Sequence, residues 1–177
     1  MFDLGKLIKE DEGYGIRLER LYNHPVSKVW DALTDPAKMT IWFMEVEWDF
    51  QPGGRIIFTF PDEERTKSYG RFVTIEHEKL MEFFWENDDG HGDELARWEL
   101  FPEGEKTRLV LTYTRVRANL ATSVMTGWHI VLNDFGDFLN GKREFPQSGD
   151  GTQFTEEQEA LKAKYEELFN QLENQQP

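Results

Sequence analysis

EVEWDFQPGGRIIFTF, residues 45–60, decides the fold class. Val46, Trp48 and Phe50 alternate strictly with Glu45, Glu47 and Asp49, a period of two that gives one apolar and one charged strand face. Gln51-Pro52-Gly53-Gly54 is turn chemistry, so 55–60 folds back as a hairpin partner. The same period continues downstream through 69–76 (YGRFVTIE), 80–86 (LMEFFWE), 96–101 (ARWELF) and 106–114 (KTRLVLTYT). Ala96, Trp98 and Leu100 oppose Arg97 and Glu99, and Leu109, Leu111 and Tyr113 share one side. Upstream, 16–23 (IRLERLYN) reads as a further strand stopped by His24-Pro25. Strands joined by short turns pair antiparallel.

Helical spacing appears on both sides of this block. Val26, Val29, Trp30 and Leu33 share one face of 26–34, which Asp35-Pro36 ends because a residue before proline leaves the α region. Met39, Trp42 and Phe43 follow on a second short helix or turn. Over 121–140, Met125, Trp128, Val131, Leu132, Phe135, Phe138 and Leu139 recur at steps of three and four, and Asn140-Gly141 stops the helix. Only this long helix has enough apolar surface to cover the aromatic face of the sheet. The expected architecture is α+β: a curved antiparallel sheet of six or seven strands around a long C-terminal helix, with two short helices after the first strand.

Residues 1–15 read as a loose lead-in, 16–142 as the domain, and 143–177 as a linker (PQSGDGTQ) and an extra amphipathic helix. Thr155 and Gln158 form a capping-box pattern, and Leu161, Tyr165, Leu168, Phe169 and Leu172 make the apolar stripe. That stripe suits docking on the chain's own domain, or a weak homodimer through the helix.

The chain carries 20 Lys and Arg against 34 Asp and Glu, a net charge of -14. Such a surface repels phosphate backbones and anionic membranes, and no run of Lys or Arg offsets it, so neither nucleic acid nor membrane is an expected partner. There are 14 Phe and 6 Trp, an aromatic load that argues for a packed core rather than disorder. The absence of cysteine removes disulfides, thiolate nucleophiles and Cys-ligated zinc, and the histidines lack ligand spacing; no metal or cofactor is expected. Without an export signal or an apolar span, the cytoplasm is the default compartment. NDDGHGDE (87–94) imitates a calcium loop, but its spacing places Ala96 or Trp98 where a bidentate Glu belongs, so it reads as a solvated hairpin loop.

Four stretches carry a family resemblance. They are Arg20 to Phe43 (R-x-Y-x-H-P-x-x-x-V-W-x-A-L-T-D-P-x-x-M-x-x-W-F), Pro52-Gly53-Gly54-Arg55, Tyr69-Gly70-Arg71 with the strand from Leu80 to Trp85, and Thr126-Gly127-Trp128-His129 with Leu132 and Leu139. Together they resemble the START-like, or helix-grip, superfamily, and within it the activator of heat-shock protein 90 ATPase and its small bacterial homologues. The resemblance implies the helix-grip fold over about 16–141. It leaves open a carrier of apolar ligands, a chaperone-associated interaction module and a cyclase- or hydrolase-like enzyme.

The aromatic surplus suggests a cavity between sheet and helix walled by Trp42, Trp48, Phe58, Phe72, Trp98, Tyr113, Trp128, His129 and Leu132. The alternative is that these side chains simply fill a core. A dry cavity of about 300 Å³ would cost roughly 7 kcal/mol, comparable with a domain's whole stability, so a real one should be wet, occupied or collapsible. His129 is the one candidate general base, but no carboxylate partner can be placed for it, and no catalytic nucleophile or metal motif accompanies it. Non-enzymatic binding of a small apolar or aromatic ligand is therefore the leading expectation. The chaperone-linked module is its alternative, and an enzyme using His129 is a more distant third.

Overall fold

The seven alternating segments, joined by one edge strand, become eight antiparallel strands in the computed structural model, which describes residues 4–87, 92–143 and 155–174. They are β1 (Lys6–Glu10), β2 (Gly13–Tyr22), β3 (Glu45–Trp48), β4 (Arg55–Thr59), β5 (Lys67–Glu76), β6 (Leu80–Trp85), β7 (Glu94–Glu103) and β8 (Lys106–Val116). Their spatial order is β1-β2-β8-β7-β6-β5-β4-β3. Each downstream strand thus pairs with its neighbour in sequence, and only β2 reaches across to β8. The linker 146–153 and residues 88–91 of the loop 87–94 lie outside the described residues.

One strand exceeds expectation. Lys6–Glu10, read from sequence as lead-in, is the edge strand β1, paired from Lys6↔Arg17 to Glu10↔Gly13. Its turn needs Gly13: φ is 121°, and a Cβ there would lie 2.6 Å from the Val116 carbonyl oxygen. KLIKE shows no clean alternation, because only Leu7 and Ile8 are even half-buried. The strand is specified by pairing rather than by local pattern.

Helices α1 (Val26–Thr34) and α2 (Pro36–Trp42) meet at Asp35. Its extended backbone ends α1, and its carboxylate accepts the Ala37 N–H at 2.9 Å to cap α2, with Pro36 in the first turn. Helix α3 (Ala121–Leu139) lies on the concave sheet face and buries Met125, Trp128, Leu132, Phe135 and Leu139. Gly141, at φ 71°, donates to the Phe138 carbonyl at 3.0 Å and ends it. The inner face of the sheet contributes Ile16, Leu18, Ile56, Phe58, Phe72, Met81, Phe83, Ala96, Trp98, Leu100, Leu109, Leu111 and Tyr113 to one continuous core.

Helix α4 (Glu156–Asn174) opens with both halves of its capping box: Thr155 N–H to Gln158 Oε1 at 3.0 Å, and Gln158 N–H to Thr155 Oγ1 at 3.3 Å. It packs on α3 and β1 of its own chain. Leu161 and Tyr165 are buried there, Phe169 lies on Tyr14, and Glu173 receives both the Tyr14 hydroxyl (2.9 Å) and Lys9 Nζ (3.0 Å).

A polar clamp sits inside this joint. The Tyr165 hydroxyl accepts the Gly5 N–H at 3.0 Å and lies 2.8 Å from His129 Nδ1, while His129 Nε2 is 3.2 Å from Arg20 Nη2. Arginine can only donate, so Nε2 is the acceptor and Nδ1–H points at Tyr165. Tyr165→Phe keeps the ring but takes the acceptor away from two buried donors. It should lower the unfolding free energy in urea by about 1–3 kcal/mol. An unchanged midpoint would show that apolar packing alone holds α4.

Candidate functional site

The sheet–helix sandwich is not filled along its whole length. A cavity of about 350 Å³ opens beside the N-terminal half of α3, lined by Phe43, Phe60, Trp85, Asn87, Glu94, Tyr113, Leu120, Val124, Gly127, Trp128 and Val131. Leu120, Val124, Gly127 and Val131 share one helix face, a quarter-turn from the core stripe. At the centre of that face Gly127 has no side chain, and a Cβ built there meets nothing within 4 Å. The cavity exists partly because this helix position is bare.

The opposite wall depends on a second glycine. Gly70 on β5 is the register partner of both Ile56 and Trp85. Its missing side chain lets the Trp85 ring lie flat on Phe58, with centroids 4.1 Å apart and planes 1° from parallel. Trp85 Nε1–H donates to Ser68 Oγ at 2.5 Å, which fixes the ring. A Cβ at Gly70 would lie 2.6 Å from the Phe84 carbonyl oxygen and 3.3 Å from the Phe58 ring.

One end of the cavity is polar. Glu94 begins the inward-facing series Glu94, Ala96, Trp98 and Leu100 on β7, so its carboxyl points to the apolar side of the sheet and is buried. The Tyr113 hydroxyl donates to Glu94 Oε2. Burial, reinforced by the Glu94 charge and that hydrogen bond, pushes the Tyr113 hydroxyl well above its ordinary pKa, although a hydrogen bond with Trp128 acts the other way. The phenol therefore keeps its proton throughout the physiological range and serves as a permanent donor.

Of the nine side chains nominated from sequence, Tyr113 and Trp128 line this cavity. Trp98 stands edge-on behind Trp128, with centroids 5.7 Å apart. Trp42 is fully buried, its indole N–H donating to the Ala32 carbonyl at 3.0 Å and its ring against Phe135. Phe58 supports Trp85, Phe72 packs among Trp48, Phe50 and Phe83, and Leu132 is core, its carbonyl taking the Tyr22 hydroxyl at 3.0 Å. Trp48 is half-buried at the β3 edge. His129 points to α4, both ring nitrogens engaged, and is not part of the cavity wall.

Sequence reading overlooked Phe43, Phe60, Trp85 and Glu94. A signal existed for the last of these: the period-two pattern of 96–101, extended two residues upstream, places a carboxyl on an apolar face. Trp85 had no comparable signal, because strand alternation does not distinguish a wall ring from a core ring.

Among the described residues no three His, Cys, Asp or Glu side chains converge as metal ligands, and no helix is long and apolar enough to cross a membrane.

Comparison with known proteins agrees with this geometry. The family model described as Activator of Hsp90 ATPase homolog 1-like protein matches residues 23–140. The solution structure of CalU16 from Micromonospora echinospora is similar at a TM-score of 0.75 and 22% identity, covering 96% of this chain and 92% of that one. A conserved protein of unknown function, EF2215 from Enterococcus faecalis, follows at 0.72 and 19%, covering 95% and 91%. DynU16, from the dynemicin biosynthetic locus, aligns at 0.67 and 20% over 80% of this chain and 51% of its own. No curated protein is significantly similar. With the family model spanning two thirds of its length and the sheet curled around α3, the chain belongs to the Activator of Hsp90 ATPase homolog 1-like family and has the START-like, helix-grip fold.

Proposed function

We propose that this protein binds a small, mostly aromatic or apolar molecule carrying one hydrogen-bonding group, and does not transform it. The observation that carries this reading is the cavity of about 350 Å³, apolar along its walls and closed at one end by Glu94 and Tyr113. Its volume falls in the range of small-molecule sites, and its chemistry follows the usual plan of an apolar lining with a few placed polar groups. A ligand's rings would lie against Phe43, Trp85 and Trp128, with its donor directed to the Glu94 carboxylate. Trp42, Phe58 and Trp98 back those three rings from the core side.

A second reading rests on the family match alone: a chaperone-associated module that stimulates a partner ATPase. Its measurement is the ATPase rate of a bacterial homologue of that chaperone with and without the protein. The cavity reading expects no change.

Two substitutions at one position test the cavity. Gly127→Ala adds a methyl into open space in a helix and should stabilise the protein by about 0.5–1 kcal/mol. The wild type should enhance the fluorescence of 1-aminoanthracene, and Gly127→Phe should occupy the cavity and abolish that enhancement. Enhancement that survives in a folded Gly127→Phe variant would place the dye elsewhere.

The polar end is tested by a ligand pair. Glu94→Gln should weaken 1-aminoanthracene about tenfold, roughly the worth of a hydrogen bond to a charged acceptor, and leave anthracene unaffected. Equal losses for both compounds would show that Glu94 shapes the cavity rather than reading the ligand.

A further inference from the structure

The outer face of the sheet carries a feature that the sequence conceals. No run of basic residues exists in the chain, yet strand register assembles one. Arg55 on β4 is the direct cross-strand partner of Arg71 on β5, and Arg71 in turn faces Phe84 on β6. Arg115 joins them from β8. Strict alternation after Tyr113 would turn it inward, but the bulge opposite Tyr14 and Ile16, with Arg115 at φ 66°, buries Val116 instead and leaves Arg115 exposed.

The three guanidiniums rest on aromatic rings. The Arg55 Cζ is 4.8 Å from the Tyr69 ring centroid, and Arg71 and Arg115 are 6.0 and 5.3 Å from that of Phe84. Among the described residues none of the three makes an ion pair, whereas Arg17, Arg65, Arg97, Arg108 and Arg143 each hold a carboxylate. Glu10 accepts the backbone N–H of Arg115 at 3.3 Å without pairing with its side chain. In a chain with 34 acidic residues this lack of ion pairing is selective, the more so because Asp11, Glu12 and Asp93 line the same pocket as Arg115. It also has a cost, since like charges directly opposite one another on a sheet repel.

We infer that this face docks an acidic protein segment. A guanidinium laid on a ring keeps its N–H fork directed outward and loses little freedom when a carboxylate arrives. Tyr69 and Phe84, half-buried, with exposed Val73 beside them, supply apolar contact between the charges. Arg and aromatic residues of this kind carry most of the energy in protein interfaces. The net charge of -14 selects the occupant: a long polyanion such as a nucleic-acid strand would run onto acidic surface such as Asp11, Glu12 and Asp93 beside Arg115, whereas a short segment with spaced carboxylates can be confined to the guanidinium forks. This surface lies on the opposite side of the sheet from the cavity and does not depend on it.

The test uses the full chain and a fluorescein-labelled peptide of about twelve residues alternating Glu and Leu, with polarisation as readout. Saturable binding that weakens with salt is expected. Arg71→Ala and Arg115→Ala should each reduce affinity about fivefold or more, and Arg71→Lys should reproduce most of the loss because lysine lacks the fork. Arg65→Ala, which breaks the Arg65–Glu45 pair away from the patch, should change nothing. Because all three arginines are exposed, circular dichroism of the triple alanine variant should match the wild type. The inference is overturned by absence of binding up to roughly 1 mM peptide, by undiminished binding in the folded triple variant, or by tighter binding of an oligothymidylate of equal charge. Concentration-dependent self-association lost in the triple variant would overturn it in favour of a second copy.

Discussion

An eight-stranded sheet is too wide for one helix to cover, and most of this structure follows from that mismatch. Eight strands at ~4.8 Å spacing make a surface about 34 Å across, whereas a helix with its side chains is about 10–12 Å thick. The sheet answers by curling around α3, and other elements close what the curl leaves open. Helix α2 brings Trp42 against Phe135 in the C-terminal half of α3, and α1 sets Trp30 against Phe50 and His77. Helix α4 covers the side toward β1. Among the described residues nothing comparable covers the N-terminal half of α3, and the cavity lies there.

Trp128 marks the boundary between the filled and unfilled halves. Its ring stands against Trp98 on the core side, with Tyr113, Phe43 and Trp85 around it at centroid distances of 4.9, 5.7 and 6.4 Å. Beyond it the helix offers Val124, Gly127 and Val131, side chains too short to reach the sheet. Small residues on one side of a large ring thus produce an abrupt change from packed core to open volume. The two glycines act in opposite senses. Gly127 leaves space, whereas Gly70 removes an obstacle so that Trp85 can lie flat and wall that space.

The strands, the helices and the grip of the sheet on α3 could be read from periodicity, since Val46/Trp48 and Leu109/Leu111/Tyr113 leave no doubt about which face is apolar. Beyond that, legibility ended where register began. Aromatic abundance announced a large apolar interior but not which rings fill it. Trp98 and Trp85 are equally apolar and equally strand-borne, yet one is core and the other wall because of where their strands end relative to α3. The edge strand β1 escaped notice because KLIKE lacks alternation and is held by pairing and by α4. Arg55, Arg71 and Arg115 are separated by 16 and 44 residues, so no scan for basic runs could unite them. Only the hydrogen-bond register of β4, β5 and β6, with a bulge in β8, does so.

His129 shows how neighbours in sequence can belong to different structures. Successive helix residues diverge by about 100°, so a helix that turns Trp128 toward the cavity must turn His129 away from it. The imidazole is spent on the joint with α4, where Arg20 and Tyr165 take its two nitrogens. Among the described residues this leaves the cavity with Glu94 and Tyr113 as its ionisable groups, and they are hydrogen-bonded to each other. A tyrosine whose proton is held by burial and by an adjacent carboxylate is a poor proton donor in chemistry, though a dependable one in a hydrogen bond. A carboxylate already occupied by that phenol is likewise better suited to orienting a ligand than to deprotonating it. The chemistry of these two groups is therefore that of holding a molecule, which is why the proposed function is binding.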